Sequence, residues 1–414
     1  MFEKLFKEPT AVARHRTAPF AQEREKFLTH LAHQGYTLKT LDPIASRLLR
    51  LARVLPSSSD PLGLEELRAL TIRSLRLQHR PTRCADTRNF RKKFFRTARQ
   101  WLRFMGRWRM PPLPTGPLWD LRKDFMTWMD RERGLSAMTL RDRWFTVVPF
   151  IRWWELCHRP LSTLKARDLD DFVASLQSRH LSRVSLNVYL AGTRAFLRHA
   201  ERRGLLPPFI ADALRGPRLY SHEGLALGPS RPDVERLIAG LDTARPVDVR
   251  DRAILLLFAL YGFRAGEVSR LCLEDVDWDN DTLTVNRSKR GGQQTTPLLP
   301  IVGRAILRYL QNVRPATQQR ELFLKLCSPV GPMSSGALYG VVRNRFARAN
   351  ITSLRRGPHT LRHACASHLL SEGLSLHAVA GHLGHHGMQQ VRVYAKVDLS
   401  ALRDVAVFDV GEVL

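Results

Sequence analysis

The sequence predicts a mainly α-helical chain with one mixed α/β region towards its C-terminus. Three observations carry this. Apolar residues recur at three- and four-residue steps through the middle of the chain, strand-like alternation is confined to a short stretch after residue 280, and two Pro/Gly-rich joints separate the segments. The joints are 110–117 (MPPLPTGP), where proline density forbids a helix, and 216–232 (GPRLYSHEGLALGPSRP), which lacks apolar periodicity. They leave segments 1–110, 118–215 and 230–410, as expected for a 414-residue chain of two or three domains.

In 118–215 the helical signal is Phe125, Met126 and Met129, then Val147, Phe150, Ile151 and Trp154, then Leu186, Tyr189, Leu190, Thr193, Phe196 and Leu197, stopped by Gly204. Segment 1–110 carries a weaker echo of this plan, resting on order and pattern rather than identity. Phe27-Leu-Thr-His-Leu parallels Phe125-Met-Thr-Trp-Met, 35–41 parallels 134–140, and Trp101-Leu-Arg parallels Phe196-Leu-Arg. In 230–410, residues 251–261 read as a buried helix closed by Gly262. Residues 282–285 and 295–298 read as strands around a hairpin at Lys289-Arg-Gly-Gly, and helices follow at 303–312, 335–349 and 360–371.

Charge is the outlier. Sixty-six Lys and Arg against 38 Asp and Glu give a formal +28. A polyanion partner suits this excess, because each neutralised phosphate releases condensed counterions. The most basic stretch is 73–109, with thirteen Lys/Arg and one acid, Asp86. There Phe94, Ala98, Trp101, Met105 and Trp108 fall on one helical face and Lys92, Arg96, Arg99 and Arg103 on another. Such a face is either solvated or a DNA-backbone contact, and its single sign favours DNA. Five scattered cysteines without a C-x-x-C pair fit a reducing cytosol. No signal peptide is recognisable, and the longest apolar stretch, 253–261, is far short of the ~20 residues that span a bilayer. The expected location is cytoplasmic and nucleoid-associated, with no membrane partner.

Breaking a phosphodiester without a metal needs a nucleophile, cationic donors for the non-bridging oxygens, an acid for the leaving oxygen, and tight positioning. The last segment offers candidates in a recognisable order. They are Tyr261-Gly-Phe-Arg264-Ala-Gly-Glu267-Val-Ser-Arg-Leu271, the hairpin Val285-Asn-Arg-Ser-Lys289 with Pro297 eight residues on, His359-Thr-Leu-Arg362-His-Ala, and Leu383-Gly-His385 with Tyr394 nine residues later. Together these resemble the tyrosine recombinase (phage integrase) family over about 230–410, and 118–215 is similar to its helical, SAM-like core-binding domain. A lone H-x-x-R would mean nothing; four boxes in order are specific.

The resemblance implies a catalytic domain with a small β-hairpin sheet and a reaction through a 3′-phosphotyrosyl intermediate. Its nucleophile would be Tyr394, with Arg264, Lys289, His359, Arg362 and His385 as the other catalytic residues. Arg264 and Arg362 would hold the scissile phosphate, His385 would add a hydrogen bond, and Lys289 would be the general acid. Glu267 reads as a residue that orients Arg264. Arg287 and Arg290 flank the lysine as DNA-binding candidates beside Lys92, Arg96, Arg99 and Arg103. No ATP, metal or other cofactor is expected; His359 and His363, or His382, His385 and His386, lack the partners of a zinc motif. The implied partners are double-stranded DNA and a homotetramer on two DNA sites, with related recombinases or a transposable element in view. Two departures stand out: Phe263 where leucine is usual, and Ser-Lys-Arg where the hairpin usually reads Gly-Lys-Gly. Residues 399–408 form an apolar tail that packs on its own subunit or on a neighbour. A type IB topoisomerase and a catalytically dead accessory protein remain the rival readings.

Overall fold

Proline, glycine and hydroxyl caps decide where most helices of this chain begin and stop. The computed structural model describes residues 1–76, 87–219, 228–287, 292–353 and 356–384. Residues 110–224 form one compact unit, and 1–109 group with 225–414 in the other.

Residues 1–109 start with short helices α1 (Phe2–Leu5) and α2 (Pro9–Thr17). Four longer ones follow: α3 (Ala21–His33), α4 (Leu38–Ala52), α5 (Leu64–Arg76) and α6 (Thr87–Phe104). Phe27, Leu28 and Leu31 of α3 and Leu41 and Leu48 of α4 share a core with Phe94, Ala98, Trp101 and Leu102 of α6. On α6, Lys92, Arg96 and Arg103 are exposed and Arg99 is half-buried, so the amphipathic sorting holds along the helix. It stops earlier than the periodicity suggests. Gly106 turns the chain at φ +70, and Trp108 lies beyond the helix in a parallel bridge with Leu62.

The unit 110–224 contains α7 (Pro117–Arg131), α8 (Ala137–Glu155), α9 (Ala166–Gln177), α10 (Arg183–Arg202) and the short α11 (Ile210–Ala213). Pro occupies the first turn of α7, where its missing N–H costs nothing. The Ser136 and Ser182 hydroxyls cap α8 and α10 by accepting from Thr139 N and Ser185 N. The periodic residues turn inward: Phe125, Val147, Phe150, Ile151, Leu190, Phe196 and Leu197 are fully buried.

The two four-helix groups share details beyond helix order. Arg24 and Arg122, each three residues before the paired Phe27 and Phe125, are both buried, and burial pulls both down to about 10. Each guanidinium donates to backbone carbonyls, Arg24 to His15 and Ala18, Arg122 to Trp144. The last helices end identically: Arg107 N bonds Leu102 O around Gly106 at φ +70, and Leu205 N bonds Ala200 O around Gly204 at φ +71. This pairs Leu102 with Ala200. Aligning Trp101 with Phe196 was therefore one helical turn out of step.

The remaining elements are α12 (Arg231–Ala239), α13 (Pro246–Leu260), α14 (Ala265–Val268), β1 (Val276–Asp277), β2 (Thr282–Asn286), β3 (Gln293–Pro297), α15 (Pro300–Asn312), α16 (Ser335–Arg348), α17 (Pro358–Ser371) and α18 (Leu376–Leu383). The strands form one antiparallel sheet in the order β1-β2-β3, with Thr284 opposite Thr295 and Val285 opposite Gln294. α13 is the central element; residues 253–258 are buried almost completely, and it packs on α15 and α17. It begins at Pro246, five residues before the start predicted at 251, and Asp248 and Asp251 enter the interior paired. Arg345 of α16 bonds Asp248 and Asp251 at 2.7 Å each, and Arg250 bonds Asp251 at 2.6 Å. Buried charges persist only when matched in this way. Among the described residues no helix is long and apolar enough to cross a membrane.

Candidate active site

The site is built where α13 ends. Gly262 takes φ +60, which an L side chain rarely adopts. A Cβ there would lie 2.5 Å from Leu383 Cδ2, so glycine also lets α18 approach. The next turn starts α14, with Arg264 as its N-terminal flanking residue.

Glu267, 1% exposed, holds that turn together. Its Oε1 accepts from Arg264 Nη1 at 2.8 Å, and Oε2 accepts from the Arg264 backbone N–H at 2.8 Å. Oε2 also accepts from Arg287 Nη1 at 2.9 Å. Burial pushes the Glu267 carboxyl up, but the Arg264 N–H, the charge of Arg287 and the Arg264 side chain outweigh it, and the net shift is downward. Its ionised form therefore stabilises the fold above the ordinary glutamate value, and that contribution is lost as pH falls through the lowered folded value. Two guanidiniums share one carboxylate, which leaves the cluster net positive. The Arg264 side chain keeps 22% of its surface exposed. It is rigidly mounted and still open to a ligand.

Arg362 lies in the first half of α17, 3% exposed. It donates from Nη1 to Gly262 O at 2.5 Å and from Nη2 to Leu383 O at 2.7 Å. One side chain thus ties α17 to the turn before Arg264 and to the end of α18. His359 sits in the first turn of α17 and is exposed. α18 ends at Leu383 with Gly384 in the left-handed region at φ +63, the residue immediately before His385. The structure brings Arg264, Arg362, the first turn of α17 and the chain leading to His385 to one place. Lys289, Arg290, His385 and Tyr394 lie outside the described residues.

One expectation is overturned. Arg287 does not face a DNA surface; it is 6% exposed. It bonds Glu267, donates from Nε to Gln294 Oε1 at 2.9 Å and reaches His382 O at 3.3 Å. It also lies over the Phe263 ring, 5.4 Å from its centroid. Position two residues before a lysine at a hairpin tip suggested exposure; just past the end of β2, an available carboxylate draws the side chain inward.

His382 is a packing residue. Its Nε2 lies 3.1 Å from Leu260 O, and burial, then the charges of Arg287 and Arg362, lower its pKa, so it is neutral near pH 7. Cys365 is buried and pushed up to about 12, an inert thiol. Tyr261 fixes the far end of the sheet, its hydroxyl donating to Pro297 O at 2.8 Å and accepting from Leu299 N at 2.9 Å. Among the described residues no group of three His, Cys, Asp or Glu side chains could hold a metal ion. Sequence reading missed β1, α18 and the inward turn of Arg287. The apolar pattern of Leu376, Val379, Ala380 and Leu383, ahead of Gly384, was the available signal for α18.

The phage integrase family matches residues 230–400, and the SAM-like N-terminal domain of phage integrases matches residues 123–204. The integrase/recombinase y4rA of Sinorhizobium fredii is 36% identical over 253 residues, a stretch covering 61% of each chain; this chain therefore spans less than two thirds of that relative. The integrase/recombinase y4rF of the same organism is 31% identical over 291 residues, 69% of this chain and 68% of that one. Among solved structures, the Tn1549 transposon integrase in complex with transposon right end DNA aligns with a TM-score of 0.52. That alignment is 17% identical and covers 68% of this chain and 99% of the other. The chain belongs to the phage integrase family, the tyrosine recombinases.

Proposed function

We propose that this protein is a site-specific recombinase of a mobile element, cutting and rejoining duplex DNA through a 3′-phosphotyrosyl link at Tyr394. The Tyr394 phenol gives up its proton to solvent and its oxygen attacks the scissile phosphorus; the bond from phosphorus to the 5′ oxygen breaks, and that oxygen takes a proton from Lys289. Arg264 and Arg362 hold the non-bridging oxygens, with His359 and His385 as further donors. Four copies on two DNA sites exchange strands in pairs. The observation that carries this reading is the Arg264–Glu267–Arg287 cluster joined through Gly262 to Arg362: a rigid, net positive pair of forks of the kind that clamps a phosphate. The DNA-bound transposon integrase with the same fold supports a mobile element as the setting.

The direct test uses DNA flanking the gene itself. Plasmids carrying two copies of the element ends should be resolved or fused, and plasmids lacking them should be untouched. Relaxation of any supercoiled plasmid without joined products would favour a type IB topoisomerase instead.

The acid has its own test. A substrate with sulfur at the bridging 5′ position has a good leaving group and does not need Lys289. Lys289→Ala should therefore cleave it near the wild-type rate while remaining slow on the ordinary substrate. Arg264→Ala should stay slow on both. Rescue of an Arg290 variant rather than Lys289→Ala would move the acid.

We further propose that residues 21–106 are a second helical module of the 117–204 plan, with α6 on the DNA backbone. Lys92, Arg96, Arg99 and Arg103 supply the charge. Changing Lys92, Arg96 and Arg99 to Gln in the full chain should shorten the DNA footprint. Each lost phosphate contact should also reduce the slope of log K against log salt by about 0.9. An unchanged slope would leave α6 a solvated face.

A further inference from the structure

The guanidinium that the hairpin buries has a consequence for the chemistry. Arg287 sits two residues before Lys289 and bonds three elements that frame the proposed site. Through Glu267 it reaches Arg264, the carboxylate being shared at 2.8 Å and 2.9 Å. Through Gln294 it spans its own hairpin from β2 to β3. Through His382 O it meets the last turn of α18, ahead of His385. A Cβ on Gly384 would lie 2.6 Å from Arg287 Nε, so the α18 terminus closes directly over it. Beneath lies Phe263, stacked on Tyr261 at 5.1 Å, which offers a flat ring to the guanidinium.

We infer that Arg287 is a positioning residue. It sets Arg264 through Glu267, and it seats the β2–β3 hairpin against the end of α18. This rests on the proposed phosphotyrosyl chemistry. Lysine could not do the same work, because its donors radiate from one nitrogen, whereas Glu267, Gln294 and the His382 carbonyl are met by Nη1, Nε and Nη2 of the guanidinium.

The test compares wild type, Arg287→Met, Arg287→Lys and Arg287→Met/Glu267→Gln, each as the full chain. A nicked duplex from the DNA flanking the gene is the probe. Arg287→Met should bind with unchanged affinity and salt slope, since no phosphate contact is lost, yet trap covalent adduct at saturating protein at least tenfold more slowly. Its pH–rate profile should gain an acidic limb absent from wild type, because Glu267 loses one of the two cations that hold it ionised. The double variant leaves no buried charge unpaired; it should fold, cleave slowly and lack that limb. Arg287→Lys restores a charge beside Glu267 and should remove the limb while recovering only part of the rate.

Wild-type rates in Arg287→Met would overturn the inference. So would a fall in affinity and salt slope with normal trapping at saturation, which would make Arg287 a DNA contact. A slower variant whose pH profile merely parallels wild type would show general loosening instead, and also overturn it. If Arg287→Met does not fold, the double variant decides: wild-type trapping there refutes the role. Absence of any adduct with wild type would refute the phosphotyrosyl reading itself, a separate outcome.

Discussion

Mixed with a duplex nicked beside its cleavage site, the wild-type chain should become covalently fixed to DNA, and Tyr394→Phe should bind the same duplex and trap nothing. The expected loss is complete, because removing the phenol oxygen removes the bonding atom. Other tyrosines are poor substitutes. Tyr309 is fully buried with its hydroxyl accepting from Leu324 N at 3.0 Å, and burial pushes its pKa up. The Tyr261 hydroxyl is committed to Pro297 and Leu299, and burial raises it as well. A phenol near pKa 10 needs a cationic site to attack at neutral pH, and the Arg264–Arg287–Arg362 cluster offers one. Mass spectrometry of the trapped adduct checks the assignment; a DNA-modified peptide containing Tyr339 instead of Tyr394 would refute it.

The second large effect belongs to the arginines. Arg264→Ala should slow single-turnover cleavage by about 10²–10³-fold with little change in affinity, the range for loss of one preorganised oxyanion donor. Many other basic residues remain to bind DNA. Arg362→Ala should be slowed at least as much and should also lower Tm, because the Gly262 and Leu383 carbonyls lose their donor. Arg362→Lys keeps the charge but not the fork, and should stay slow. If Arg264→Ala and Arg362→Lys both cleave at the wild-type rate, neither side chain holds the phosphate. Comparing saturated cleavage rates with melting curves separates the two consequences at Arg362.

Helix periodicity in 118–215 was legible because each helix there buries one stripe, so Phe125, Phe150 and Phe196 announced their own burial. The core helix α13 was legible only in its apolar half. Its first two turns carry Asp248 and Asp251, whose burial depends on Arg345 of α16 being brought across to pair with them. The same limit explains Arg287. Nothing local distinguishes an arginine that lines a groove from one that reaches a buried carboxylate twenty positions away.

The sequence by itself determined the helical plan, the hairpin, the order of the four boxes and the family they imply, because these depend on local periodicity, turn residues and fixed spacing. The tertiary structure decided which charges meet. It gave Glu267 two arginines instead of one, turned Arg287 inward under Gly384, and made Arg362 a tie between α17, Gly262 and α18. The physical reason is that a buried charge must find its partner wherever the fold places one, and sequence spacing does not record that distance.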